Sequence, residues 1–217
     1  MLKADLHIHT GYSPDCATPL QRIVSRCTEL GINCIGITDH NTIAGALDMK
    51  RLAPFKVIVG EEIDTTEGEV IGYFLTEEVP KGLTPEETVR RIKKQGGLVC
   101  IPHPFDSFRF SAIRPPALER LLSSIDIIEV LNARLLLRRH VDRARRFAEA
   151  HGFLVSAGSD AHTLIEVGNA YVEMPEFDGK NEFLSGLAQG RIGGGLSSPF
   201  VHARSNWAKL GRALKGQ

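Results

Sequence analysis

The chain has 217 residues, with 26 Lys plus Arg against 26 Asp plus Glu, so its formal net charge is zero. A balanced chain has no overall pull toward polyanions, which argues against a general nucleic-acid coat or a polybasic membrane anchor and leaves only local patches. Hydrophobic residues at 42% and charged residues at 24% are ordinary globular usage, which excludes wholesale disorder and suits one large domain with its own core.

In chain order, residues 2–6 form a short apolar opening. Residues 20–30 have apolar spacing near the helical period, and Gly31 is a natural stop. Residues 34–37 are a compact buried-strand run, 43–52 a helix ended by Pro54, and 57–59 a β-branched strand. Residues 69–75 extend the sheet as a hairpin after a turn at Gly68. Thr84, Pro85 and Glu87 make a capping signal that opens a helix over 85–95, and Gly96-Gly97 ends it. Strands are expected at 98–101, 125–131, 153–157 and 170–173, with helices at 135–150 and 182–189. Residues 105–116 read as a long irregular segment overhanging the site.

Alternating β and α units with buried strands predict an α/β fold with a parallel sheet, and about seven strands in this length predict a closed or nearly closed barrel. A doubly wound open sheet is the alternative, but no Gly-x-Gly-x-x-Gly or P-loop follows a strand. The expected division is a barrel over 1–190 and a C-terminal loop and helix over 191–217, the helix at 204–214, packed on the barrel. No stretch approaches the about 18 apolar residues of a membrane span, and Asp5, His7 and His9 interrupt any signal-peptide segment, so a cytoplasmic location is expected. Cys16, Cys27, Cys34 and Cys100 form no Cys-x-x-Cys pair, so buried thiols are expected rather than a disulfide framework or a zinc ribbon.

The functional signal lies in the histidines. His7, His9, His40, His103 and His162 fall just past strand ends, accompanied by Asp5, Asp15, Asp39, Glu61, Glu62 and Asp160. Parallel barrels gather the C-terminal ends of their strands on one face, where these residues can converge. In an extended segment His7-x-His9 turns both imidazoles the same way, toward one ion. Singly, each feature has a plain structural alternative: surface histidines, a turn at Asp39-His40, a solvated Glu61-Glu62, a rigid loop at Pro102-His103-Pro104, a helix cap at Asp160. Their joint occurrence at strand ends favours a titratable site.

Together the segments Asp5-Leu6-His7-Ile8-His9-Thr10, Tyr12-Ser13-Pro14-Asp15, Gly36-Ile37-Thr38-Asp39-His40-Asn41, Gly60-Glu61-Glu62-Ile63, Pro102-His103-Pro104-Phe105, Glu129-Val130-Leu131-Asn132 and Gly158-Ser159-Asp160-Ala161-His162 resemble the PHP (polymerase and histidinol phosphatase) family of metal-dependent phosphoesterases, in its small stand-alone form. The resemblance implies a distorted (β/α)7 TIM-like barrel with two or three divalent ions (Mn, Fe or Zn) at its C-terminal face. His7, His9, Glu62 and Asp160 would hold a first ion. Glu62 would bridge to a second, bound also by His103 and completed by Asn132 or water. Asp15, His40 and His162 would hold a third. Many members have histidine where this chain has Asp15, a harder donor that tilts the site toward Mn or Fe. The implied chemistry is hydrolysis through a hydroxide shared by closely spaced ions, with His7, His9, Glu62, Asp160 and His162 as the catalytic set.

Arg109 and Arg134 follow two of these motifs and are candidates to grip the phosphate, with solvated surface arginines as the alternative. A small phosphate ester, a nucleotide or sugar phosphate, is the expected substrate. A nuclease acting on short nucleic acid with the same metals, and a non-catalytic metal-binding domain, are the competing classes. In the run Arg138, Arg139, Arg143, Arg145 and Arg146, the residues Arg139, Arg143 and Arg146 share one face of the helix at 135–150, which reads as a solvated charged face. With 6% aromatic residues and no net charge, a long stacking groove for polymer is disfavoured.

Overall fold

The computed structural model describes residues 1–198. Seven strands make the barrel: β1 (Leu2–Ile8), β2 (Cys34–Ile37), β3 (Lys56–Thr65), β4 (Gly68–Tyr73), β5 (Leu98–Ile101), β6 (Ile127–Asn132) and β7 (Leu154–Gly158). Neighbours pair in sequence order, all parallel except β4, which runs antiparallel to both β3 and β5. The two residues between β3 and β4 leave no room for a crossover helix, so this unit is a hairpin and the barrel departs from a strict β–α repeat. Beyond β1 the sheet continues as β8 (Ala170–Met174) and β9 (Arg191–Gly194), each antiparallel to its neighbour.

The helices α1 (Leu20–Glu29), α2 (Ala44–Leu52), α3 (Pro85–Lys94), α4 (Pro115–Leu121), α5 (Arg138–His151) and α6 (Lys180–Gln189) cover the sheet. Strand periodicity of two separates two cores. Ile35, Ile37, Val99, Ile101, Ile128 and Val130 face outward onto Ile23, Met49, Ile92, Leu118 and Ala144 of the helices. Leu6, Cys34, Ile58, Tyr73, Cys100, Ile127 and Ala157, one from each barrel strand, fill the interior. The cap expected at Thr84 forms: its side chain accepts from Glu87 N, with Pro85 in the first turn. Helix α5 ends at Gly152, whose φ of 69° is the left-handed conformation glycine adopts freely.

Three local expectations change. Helix α5 begins at Arg138 rather than near 135, because Leu135 is drawn into the barrel core and Leu137 is extended. Helix α4 forms where Pro115-Pro116 suggested loop; proline fits a first helical turn, where its missing N–H costs nothing. Residues 191–194 are not loop but β9. Glycine is required there, since a Cβ on Gly193 would lie 2.4 Å from the Tyr171 ring and one on Gly194 2.1 Å from Asn169 O. The helix expected at 204–214 lies outside the described residues. Among the described residues no helix is long and apolar enough to cross a membrane.

The barrel shuts where the chain beyond β7 meets β1. Asp160 N donates to His7 O at 2.7 Å and His9 N to Ala161 O at 3.1 Å. Gly158 makes this approach possible: a Cβ there would sit 2.2 Å from His7 Cβ and 2.7 Å from His7 N. Relieving that overlap means prising the seam apart, at about 1–3 kcal/mol for an overpacked core position. Gly158→Ala is therefore expected to lose that much stability in urea unfolding; an unchanged midpoint would contradict the tight seam.

Candidate metal centre

The strand ends deliver the expected residues to one place. His7 lies in β1 and His9 just beyond it; His40 follows β2, Glu62 lies in β3, His103 follows β5, and Asp160 and His162 follow β7. His7, His9, Glu62, His103 and Asp160 are essentially sealed from solvent, and Asp15 and His162 are buried. Three non-glycine residues bordering the site have left-handed backbone: Asn41, His103 and Asp160. Such conformations cost of order 1–3 kcal/mol each and persist only where surroundings dictate them. Here Asn41 N donates to Glu62 O at 2.9 Å and His103 N to Glu129 Oε2 at 2.8 Å.

Hydrogen bonds behind the histidines set their tautomers. His7 Nδ1–H donates to Glu129 Oε1 at 3.0 Å, so its Nε2 presents a lone pair. Ser13 Oγ gives its one proton to Asp39 Oδ1 at 2.7 Å, leaving it to accept from His9 Nδ1–H at 3.1 Å. The Nε2 of His9 is then a lone pair too. These two lone pairs meet at 3.1 Å. Glu62 Oε2 lies 3.5 Å and 3.3 Å from the same two nitrogens, and Asp160 Oδ1 lies 3.7 Å and 3.3 Å from them. Among the described residues neither oxygen has a well-formed hydrogen bond, although His40 Nδ1 lies 3.3 Å from Glu62 Oε2 and His162 Nδ1 3.5 Å from Asp160 Oδ1. With both imidazoles neutral in these tautomers, four buried ligand atoms converge. Ligands at 2.0–2.2 Å around a tetrahedral ion are separated by about 3.3–3.6 Å, so these separations fit a divalent cation.

Glu62 faces two ways. Its Oε1 is 3.0 Å from His103 Nε2, while its Oε2 is also 3.3 Å from His40 Nδ1. A residue not singled out from the sequence, Glu69 of β4, joins here: Glu69 Oε2 is 3.4 Å from His103 Nε2 and its Oε1 3.8 Å from His40 Nδ1. Asp15 Oδ2 lies 3.1 Å from His162 Nε2 and 3.6 Å from His40 Nε2. Three groups therefore offer ligand atoms within 4.8 Å of one another: His7, His9 and Glu62; His40, Glu62 and Glu69; and His9, His40 and His162.

Other candidates have different roles. Asn132 is not turned to ligate. Its amide nitrogen donates to Glu129 Oε2 at 3.0 Å and Asp160 Oδ2 at 3.2 Å, and its oxygen accepts from Arg134 N at 3.0 Å, so it orients carboxylates. Asp160 caps no helix; it follows β7 and no helix begins until α6. Asp39 is spent on the loop, accepting from Thr10 N, Thr10 Oγ1 and Ser13 Oγ. Asp5 ties the seam through Ser159 N and Gly168 N. Glu61 accepts from Val79 N, outside the cluster. The four cysteines are buried free thiols.

Neither arginine is a solvated surface group. Arg109 Nη2 lies 2.7 Å from Asp160 Oδ2, and the buried Arg134 sits against His162 Nδ1 and Glu166. Both line a cleft of about 980 Å³ over the cluster, as do His40, His162 and Lys81, a third cation that no motif marked. The arginines of α5 are exposed, as a solvated face requires.

The field of the site shows in its ionisation. Burial alone would raise Glu62 and Asp160. Instead His7 and His40 hold Glu62 well below the carboxylate range, and Arg109 and His7 do so for Asp160. Burial opposes charge on His7 and His40, yet Glu129, Glu62 and Asp160 raise His7 well above its usual value, and Glu62 and Asp15 raise His40 to about 10. Burial and Glu62 push Glu69 up to about 8, and burial and His9 push His162 down to about 4. A proton on His7 and a metal ion are alternative answers to one negative field.

A barrel whose strand ends collect buried imidazoles and carboxylates under an open cleft is able to hold metal ions there. The PHP domain family model matches residues 5–150 and the PHP-associated model residues 138–192, and the chain belongs to the PHP family. It is similar to two uncharacterised proteins of Methanocaldococcus jannaschii. One is 44% identical over 146 residues (61% of this chain, 82% of that protein); the other is 37% identical over 180 residues (82% and 72%). Among solved structures it resembles PsfC from Pseudomonas syringae, with TM-score 0.69, 17% identity and coverage of 97% of this chain and 98% of that one. A candidate metal-dependent phosphoesterase from Bifidobacterium adolescentis gives TM-score 0.62 at 15% identity, covering 74% of this chain and 87% of that one. An amidohydrolase from Chromobacterium violaceum, solved with sulfate and no metal, gives 0.61 at 17%, covering 76% and 89%. At these identities the likeness is one of fold.

Metal binding must compete with those protons. A histidine whose pKa is raised keeps its proton at pH 7, whereas a ligating imidazole is neutral. Loading Mn or Zn at pH 7 is therefore expected to release at least one proton per chain, with affinity falling as pH falls. Calorimetry in two buffers of different ionisation heat measures this; a binding heat independent of buffer would contradict it.

Proposed function

We propose that the protein hydrolyses a small phosphate ester at this cluster, with His7, His9, Glu62 and Asp160 holding one divalent ion, Glu62, His103 and Glu69 a second, and Asp15, His40 and His162 a third where three are bound. The observation that carries the reading is the convergence of ligand atoms of His7, His9, Glu62 and Asp160 beneath a cleft walled by Arg109, Arg134 and Lys81. Asp15, a carboxylate among the imidazoles, is a hard donor that tilts the site toward Mn or Fe over Zn. Divalent ions there supply Lewis acidity and lower the pKa of water toward neutrality.

The chain's own groups supply the rest. Glu129, through His7, and Ser13 with Asp39, through His9, hold the lone pairs in place before substrate arrives. Arg109 keeps Asp160 ionised, and its remaining N–H groups are available to non-bridging phosphate oxygens; Arg134 and Lys81 offer further donors. Water adds to phosphorus, the ester P–O bond breaks, and the alcohol leaves with a proton. The three cations favour phosphate over an amide, which brings no negative charge. They also suit one or two phosphate groups better than a tracked polymer backbone, where each contact steepens the salt dependence.

Two outcomes test this. Replacing His7 and His9 together with Ala is expected to remove at least one divalent ion per chain by elemental analysis and to abolish phosphate-ester hydrolysis. Undiminished metal content would contradict the assignment. Arg134→Ala is expected to raise KM for a small ester by roughly 10- to 100-fold, the loss of a charge-assisted hydrogen bond, with a smaller fall in kcat. A fall confined to kcat would place Arg134 on the transition state instead.

A further inference from the structure

The lip of the cleft carries apolar side chains that the reaction does not need. Phe108 is 57% exposed, Phe110 fully exposed and Leu136 40% exposed, and all three line the cleft that holds Arg109, Arg134 and Lys81. Single exposed apolar residues need no explanation, but two phenyl rings on the rim of a polar metal cleft are a different case.

The turn that presents them is anchored rather than loose. Asp106 Oδ1 accepts from Phe108 N at 3.0 Å and lies 3.6 Å from His140 Nδ1 of α5. Ser107 Oγ is 3.3 Å from His140 Nε2. Arg109, between the two phenylalanines, reaches inward to Asp160 Oδ2 at 2.7 Å. Ser111 O accepts from Glu69 N at 2.7 Å. The same few residues thus place a guanidinium at the cluster and two aromatic faces at the mouth. The rings add no polar group of their own, so whatever they recognise is read by its flat apolar surface.

We propose that Phe108 and Phe110 form a stacking platform for an aromatic base, so that the ester hydrolysed is a nucleotide rather than a sugar phosphate. The proposal rests on the phosphoesterase reading for the position of the phosphate. With the phosphate held by Arg109 and Arg134 over the cluster and by Lys81 on the cleft wall, the sugar spans the middle and the base lies against the rings at the lip. A cleft of about 980 Å³ has room for all three parts. Stacking tolerates any base and favours purines by area. A sugar phosphate gains little there, having no flat π face to offer the rings.

Calorimetric binding to the metal-loaded protein separates this from the hydrolytic reading. The probes are adenosine 5′-monophosphate and glycerol 2-phosphate, compared in the wild-type chain, Phe108→Ala, Phe110→Ala and Phe110→Trp. The wild type is expected to prefer the nucleotide by at least about tenfold. Each Ala substitution is expected to shrink that ratio roughly fivefold or more, as loss of one base–aromatic stack does, and Phe110→Trp to retain it. All three substitutions lie at exposed positions, where folding is not at stake. Equal affinity for the two probes, or a ratio unmoved by either Ala substitution, would overturn the platform. If the nucleotide binds with this pattern but neither ester is hydrolysed, the platform stands and the phosphoesterase reading falls.

Discussion

Four buried acceptor atoms that face one another set the terms for the rest of the molecule. The Nε2 atoms of His7 and His9 meet at 3.1 Å, with Glu62 Oε2 and Asp160 Oδ1 within 3.7 Å of them. In a medium of low polarity such an arrangement is repulsive unless positive charge lies at its centre. Holding it together requires that each group be unable to turn away. Glu129 and Ser13 fix the two rings from behind, His103 and His40 flank Glu62, and Arg109 with Asn132 holds Asp160.

The barrel is built to bear that strain. Its lower interior is a plain apolar plug of one side chain per strand, which supplies the burial that stabilises the fold. The polar layer above it is confined to the strand ends, where left-handed residues such as His103 and Asp160 re-aim side chains that regular strand geometry would point elsewhere. The seam at Gly158 joins the first and last barrel strands and places His7 beside Asp160, so closure of the sheet and assembly of the cluster are one event. The same economy holds at the cleft wall, where Arg109 serves Asp160 and the mouth together.

Much of this was legible in the sequence because strand periodicity and the strand-end rule are local. Alternation in His7-x-His9 predicts a shared face, and the ligand candidates after β2, β5 and β7 follow from where apolar runs stop. Glu69 was not legible by that rule. It lies near the start of β4, and because β4 runs antiparallel, it is this strand's N-terminal end that reaches the site face. Asn132 was left open between ligand and water because sequence shows only that an amide is near; the choice between ligating and orienting depends on Glu129 and Asp160 on either side. Lys81 sits in no motif and reaches the cleft only through the path of the loop between β4 and α3. Strand β9 was hidden because its glycines, needed for close packing on Tyr171 and Asn169, have the composition of a loop.

The central claim is that the four converging acceptors form a cation site. Anomalous diffraction from a crystal of the protein equilibrated with Mn measures this directly. The account predicts a peak at bonding distance from both His7 Nε2 and His9 Nε2, with an oxygen of Glu62 and one of Asp160 completing the set. Density showing the two imidazoles protonated on Nε2 and hydrogen-bonded to those carboxylates, with no anomalous signal between them at saturating Mn, would contradict it.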